Sequence, residues 1–173
     1  MMEIRVLDIG VAALAMRRAF EVLQPSRLIF SGTGLREGML YDQLAPAVQQ
    51  EDALIASCEK VALQVSRFND HGGFEALERW MAPLFDGLDA RTLRLLKASC
   101  LLSDIGWFEH EDYQASHAFE RILVMPFYGI DHAGRAFLAL TQYVRYGGDE
   151  EDTFEITGKL FDDDTAAIAV VAG

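Results

Sequence analysis

Four sets of side chains in this sequence are of the types that handle phosphates, protons or metals. Ser31-Gly32-Thr33-Gly34 is a glycine turn. Backbone N–H groups at such a turn cradle anions when a helix follows, and glycines also supply the positive φ angles of tight turns with no ligand involved. Arg36 and Glu37 come directly after it. Arg91, Arg94 and Lys97 recur every three residues, a cationic stripe suited to a polyanion. The same spacing describes a solvated helix face paired with acids. His71, His110, His117 and His132 are dispersed, and only His110 and His117 share a neighbourhood, so surface or hydrogen-bonded imidazoles are expected. Ser-His-Asp chemistry lacks the Gly-x-Ser-x-Gly context it needs. Cys58 and Cys100 sit inside apolar helical patterns with no Cys-x-x-Cys or Cys/His pair at ligand spacing; they read as buried structural thiols, not zinc ligands.

These groups need elements to hold them. Ile4–Leu7 is a short apolar run, Val11–Leu23 is a helix-forming stretch, Pro25-Ser26 breaks it, and Arg27–Phe30 reads as a strand. The glycine turn then leads into a helix start. The order is helix, strand, turn, helix: an α/β unit with too few strands for a sheet of its own, which must dock on something else. From about Gln50 the pattern is helical. Leu54, Cys58, Val61, Val65 and Phe68 form one apolar seam, and Phe74, Leu77, Met81, Leu84 and Leu88 a second, with Trp80 beside it. A third helix is expected over Arg91–Leu102. Its apolar residues nearly surround the axis, which marks it as the central buried helix. Further helices fit Tyr113–Met125 and Asp131–Tyr146, jointed at Pro126 and Gly129. The apolar run Ala166–Ala172 reads as a helix start or a strand, cut from a longer chain or packed against a partner. Trp80, Trp107, Phe137 and Tyr143 recur at helical spacings and are expected in the core.

Composition sets the outer limits. The 173 residues carry 27 acidic against 15 basic side chains, a formal charge of -12. That balance argues against duplex nucleic-acid binding, which neutralises phosphates with many cations. Half of the chain is hydrophobic, enough for a proper core. The start has no signal-peptide form and no apolar run approaches a membrane span, so a cytoplasmic protein is expected.

Two stretches carry a resemblance. Ile29–Asp42, with its Ser-Gly-Thr-Gly-Leu-Arg-Glu-Gly core, resembles the signature closing the second actin-like domain of the exopolyphosphatase / guanosine pentaphosphate phosphohydrolase family. Ala98–Trp107 is similar to the Ala-x-Leu-His-Asp-Ile-Gly helix of the HD-like domain that follows in that family. His110–Tyr113 and Gly129–Ala139 look like its alphaproteobacterial branch. The resemblance covers nearly the whole chain and is strongest from Leu28 to Gly148.

The resemblance implies a mainly α fold: residues 43–173 as a degenerate HD-like helical domain truncated at its C-terminus, and residues 1–42 as the tail of an actin-like (ribonuclease H-like) domain. In the family, the catalytic carboxylate and phosphate loops lie in two actin-like domains on the N-terminal side. Of those loops only Leu7-Asp8-Ile9-Gly10 has a faint look, and its continuation is replaced by Val11-Ala12. The parent would therefore hydrolyse inorganic polyphosphate or guanosine pentaphosphate with Mg2+, while this chain supplies no catalytic residue, metal site or cofactor. Gly32, Thr33, Gly34, Arg36, Arg91, Arg94 and Lys97 are its candidate phosphate contacts, and Arg36 and Glu37 a candidate interdomain hinge. Its partners would be the N-terminal actin-like domains and a second copy in a homodimer, with no membrane and no duplex nucleic acid. An alternative is a regulatory or dimerisation module without chemistry. A third reading, an autonomous HD metal enzyme, requires a tandem His-Asp where this chain has Ser103-Asp104, and a first His where it has Gly73, two residues from His71. In the degenerate, metal-free fold that the resemblance implies, Asp104 is expected to cap a helix or pair with an arginine such as Arg121 or Arg135.

Overall fold

The computed structural model describes residues 2–27, 34–67, 72–149, 157 and 159–173, with side chains from residue 9 onward. All regular elements among them are helical. The chain divides into two compact units, Met1–Gly32 and Thr33–Gly173.

The first unit is built on α1, Met2–Leu23. The helix extends back through Ile4–Leu7 and through Asp8-Ile9-Gly10, so the segment with a faint phosphate-loop look is helical. Ala, Leu, Met, Arg and Glu dominate its second half and are strong helix formers. Arg17 and Arg18 both donate to Glu21, at 3.0 and 3.2 Å. The helix ends at Gln24, whose φ of 42° is the left-handed conformation that terminates many helices, and Pro25 follows. Leu28, Ile29 and Phe30 of the expected strand, together with Ser31, Gly32 and Thr33, lie outside the described residues.

The second unit contains α2 (Leu35–Tyr41), α3 (Pro46–Gln49), α4 (Ala53–Val65), α5 (Gly72–Met81), α6 (Ala90–Leu101), α7 (Glu111–Val124), α8 (His132–Arg145) and α9 (Asp163–Ala172). A 3-10 turn, Ala82–Phe85, continues α5. Aspartate starts four of these helices. Asp52, Asp89, Asp131 and Asp162 each accept hydrogen bonds from the first free N–H groups of α4, α6, α8 and α9, which is how a carboxylate removes orphan donors at a helix start. The apolar run 166–172 is the helix α9, laid on α8 through Ala169 and Ala172.

The core corrects two sequence expectations. The central helix is α8, not α6: Ala136 to Gln142 are all buried, and α8 packs against α6, α7 and α9. α6 is exposed at Arg91 in its first turn and along one side at Leu93 and Lys97. The glycine at 134 lets α6 come close; a Cβ there would lie 3.2 Å from Leu95 Cδ2 and 2.9 Å from Ile130 Cγ1. Phe137 is fully buried and Tyr143 partly so, as expected, but Trp80 is 72% and Trp107 42% exposed. Trp80 stands one residue off the seam that buries Phe74 and Met81, which turns it outward. Trp107 lies in the turn after α6, beyond helical register. Cys58 and Cys100 are buried as expected, and Cys100 Sγ lies 3.7 Å from Met81 Sδ. Among the described residues no helix is long and apolar enough to cross a membrane.

Candidate functional site

The turn leaving α6 carries Ser103 and Asp104, both buried. Asp104 is held by Arg67, in the segment after α4. The Arg67 N–H donates to Oδ2 at 3.1 Å, and its Nε and Nη2 donate to Oδ1 at 3.1 and 2.9 Å. The expected partners Arg121 and Arg135 are occupied elsewhere. Arg121 donates to Ile105 O at 2.9 Å and to Glu109 at 2.8 Å. Arg135 reaches carbonyls at the end of α7, Ile122 O at 3.0 Å among them, because a helix C-terminus presents unpaired acceptors to any nearby cation.

Side chains of α8 and the residue after it fix the rest of this turn. Gln142 Nε2 donates to Ser99 O at 2.9 Å, and Arg145 Nε to Ser103 O at 3.2 Å. The Tyr146 hydroxyl donates to Ser103 O at 2.8 Å and accepts from Gly106 N–H at 3.0 Å. Burial raises the Tyr146 hydroxyl above its ordinary pKa, which keeps it a donor. Gln142 Oε1 is buried without a partner among the described residues. An HD-type metal centre does not fit this donor set. Both Asp104 oxygens already accept from Arg67, and the residue before it is a serine with no imidazole. Among the described residues no three His, Cys, Asp or Glu side chains converge as ligands. His71 lies outside those residues.

The cationic stripe of α6 is tied to helix caps. Arg91 Nη2 lies 2.9 and 2.7 Å from the two oxygens of Asp131. Arg94 makes a two-pronged pair with Asp52 at 2.5 and 2.7 Å and also donates to Gly129 O at 2.9 Å. The φ of +67° at Gly129 suits glycine, and a Cβ there would lie 3.2 Å from Arg94 Nη2. The Arg94 hydrogen bond is the largest cause holding the Asp52 carboxyl below its usual range, and the same bond raises Arg94. Lys97 lines a cleft with Glu59, Glu75 and Glu78. The stripe thus bridges the starts of α4 and α8, the salt-bridged face that its spacing also allowed.

At the glycine turn, Gly34 N–H donates to Glu37 Oε2 at 2.8 Å, so Glu37 caps α2. Arg36 is exposed on α2. Gly32 and Thr33 lie outside the described residues. His110 and His117 each lie against the Tyr113 ring, with centroids 6.1 and 5.6 Å away. His110 Nδ1 accepts from Asp112 N–H at 3.3 Å, and His117 Nδ1 lies 3.2 Å from Glu109 Oε2. The ring of Tyr113 stands between them, stacked on His117. Sequence spacing missed Arg67 and Tyr146 as organisers of the 103–106 turn. Neither carries a motif; each acts through proximity that only the packed helices create.

The family model of the exopolyphosphatase C-terminal domain matches residues 54–168, from the first turn of α4 into α9. The chain belongs to the exopolyphosphatase C-terminal family. The helical unit described above therefore contains this family's domain, with Ser103-Asp104 in the turn after its α6. The chain is also similar to Retrograde regulation protein 2 of Saccharomyces cerevisiae, 25% identical over 159 residues. That match covers 87% of this chain and 26% of the yeast protein, so the chain spans about a quarter of the length of that curated relative.

Proposed function

We propose that this chain is the C-terminal helical portion of an exopolyphosphatase-like phosphoanhydride hydrolase, supplying scaffold and anion-facing surface while bond cleavage takes place on other parts of the parent. The observation that carries this reading is the Arg67–Asp104 pair: the carboxylate that an HD metal enzyme would offer to a cation is an internal ion-pair partner. In the parent, inorganic polyphosphate or guanosine pentaphosphate is the substrate. Attack by a carboxylate-activated water uses Mg2+ and loop amides held by N-terminal actin-like domains, of which residues 1–42 are the tail. Arg36 and Glu37 act as the hinge between the actin-like part and the helical domain, which associates as a homodimer. Gly32, Thr33, Gly34 and Arg36, and separately the α6 stripe, are the candidate phosphate contacts. There Arg91 and Arg94 exchange their aspartate partners for phosphate oxygens, and the Gly34 amide exchanges the Glu37 carboxylate.

A second reading, a regulatory module without chemistry, is favoured by the yeast relative, whose name describes a regulator and whose similarity runs through 87% of this chain. Both readings expect the purified chain to release no phosphate from polyphosphate and to carry no stoichiometric divalent metal by elemental analysis. Phosphate release by the chain alone overturns both. Polyphosphate binding that weakens in Arg91→Ala/Arg94→Ala selects the first reading; absence of polyphosphate binding selects the second.

A further inference from the structure

The turn after α6 and the outer face of α7 expose an unusual run of aromatic rings. Phe108 and Tyr113 are 51% and 56% exposed, beside the exposed Trp107, and about half of the His117 side chain is open to solvent. Scattered exposed rings are ordinary, but contiguous ones mark contact surfaces. These are contiguous. The Trp107 and Phe108 rings meet edge to face at 6.1 Å, and the Arg121 guanidinium lies 4.8 Å over Phe108. Arg121 binds Glu109, Glu109 binds His117, and His117 stacks on Tyr113 with centroids 5.6 Å apart. On α7 the exposed Tyr113, His117, Glu120 and Val124 follow one another at helical spacings, so the row continues down a single face.

The rings are already held in place. Trp107 Nε1 donates to Val65 O, His117 is fixed by Glu109, and Phe108 is covered on one side by Arg121. A partner docking here would lose little side-chain freedom from this side, the condition under which aromatic anchors contribute most. Charge selects the partner. Glu111, Asp112 and Glu120 are exposed around the rings, and the chain as a whole carries -12. A second copy would bring the same acids against themselves across a twofold axis, an arrangement opposed by like-charge repulsion. A cation fits instead, since ring faces and carboxylates both attract it. Arg121 shows the arrangement within the chain, with a guanidinium between the Phe108 ring and the Glu109 carboxylate.

We propose that the face formed by Trp107, Phe108, Tyr113 and His117, rimmed by Glu111, Asp112 and Glu120, is a docking surface for a cationic segment of another polypeptide, whose arginine or lysine side chains seat on the rings. The test uses the full chain with Trp80→Phe, leaving Trp107 as its single fluorescent indole, titrated with an oligoarginine peptide. The expected result is a saturable change in Trp107 emission that weakens with salt. It weakens by about tenfold in Tyr113→Ala and in Glu111→Gln/Asp112→Asn, while oligoglutamate gives no change. The double acid variant alters only exposed side chains, so it reports on binding even if Tyr113→Ala disturbs α7. Asp163→Asn/Asp164→Asn, at the start of α9, serves as the charge control and should bind as the parent does. Equal binding by parent and patch variants, equal weakening in the charge control, or a dimer that dissociates in Tyr113→Ala each overturns the proposal.

Discussion

Arg67 encloses the carboxylate of Asp104 with a backbone N–H and two guanidinium N–H groups, joining the segment after α4 to the turn after α6 across 37 residues of sequence. Asp104 is buried and Arg67 half exposed, so the pair sits at the edge of the core. Removing the acid leaves a cation that can turn to water but strips the turn of its anchor. Asp104→Ala should therefore lower unfolding free energy by about 1–3 kcal/mol, read from urea midpoints. Mn2+ should leave the wild-type thermal midpoint in place; a Mn2+-dependent rise lost in Asp104→Ala would show that the carboxylate serves a metal after all.

Tyr146 should be the second sensitive position. Its hydroxyl both gives and takes a hydrogen bond within the 103–106 turn. Tyr146→Phe keeps the ring but orphans the Gly106 N–H and leaves Ser103 O with the Arg145 guanidinium alone, at a cost of about 1–3 kcal/mol. Because Trp107 ends this turn, the same variant should shift its emission towards the red in the native state.

Acid should loosen the start of α4. With Arg94 as its main cause, the Asp52 carboxyl lies below its ordinary value of 3.8 in the folded chain. A depressed folded value means stability present above 3.8 and lost as pH falls through the lower folded value. Asp52→Ala should cost about 1–2 kcal/mol at neutral pH through the lost cap. It should also flatten the acid limb of a stability-versus-pH curve. An unchanged acid limb would assign it to other carboxylates.

The two thiols should be silent in the native protein. Burial pushes the Cys58 thiol up to about 12 and the Cys100 thiol to about 11. Thiolate is the reactive form, so an aromatic disulfide reagent at pH 8 should label neither until denaturant is added, after which both react. Folded values above the ordinary 9.0 also mean stability that is complete below pH 9 and declines as pH rises towards the folded values. Rapid labelling of either residue in the folded state contradicts this.

The helical half was legible because its seams are periodic and its starts are chemically explicit. Leu54, Cys58 and Phe74, Met81 point inward as their spacing requires, and Asp89 and Asp131 stand where caps belong. Hydrophobic periodicity said less about which helix would be central. Leu93 suggested an all-round apolar α6, yet it is exposed, whereas the glycine and alanines of α8 allow three helices to close around it. The aromatic expectation failed where rings left helical register: Trp107 belongs to a turn, and Trp80 to the flank of a seam.

The site was only partly readable for a similar reason. The serine before Asp104 is visible in one dipeptide, but the arginine that occupies the carboxylate is set by where α4 ends relative to α6. Of the four arginines considered for pairing, Arg91 and Arg94 did meet nearby acids, because aspartate caps bring carboxylates to the helix ends they approach. Arg121 and Arg135 went to carbonyls and to Glu109, for which no spacing rule exists.

The pairing of α7 with α8 has a bearing on how the chain reaches its native state. These two helices are neighbours in sequence, joined through the bend at Gly129, and share the most extensive packing in the second unit. Bringing them together closes a short loop and so sacrifices little chain entropy, whereas α4 and α6 meet only across the whole of α5. The α7–α8 hairpin is therefore expected to form before the α4–α6 contact and the Arg67–Asp104 clasp, an order that φ-values at Phe137 and Asp104 would test.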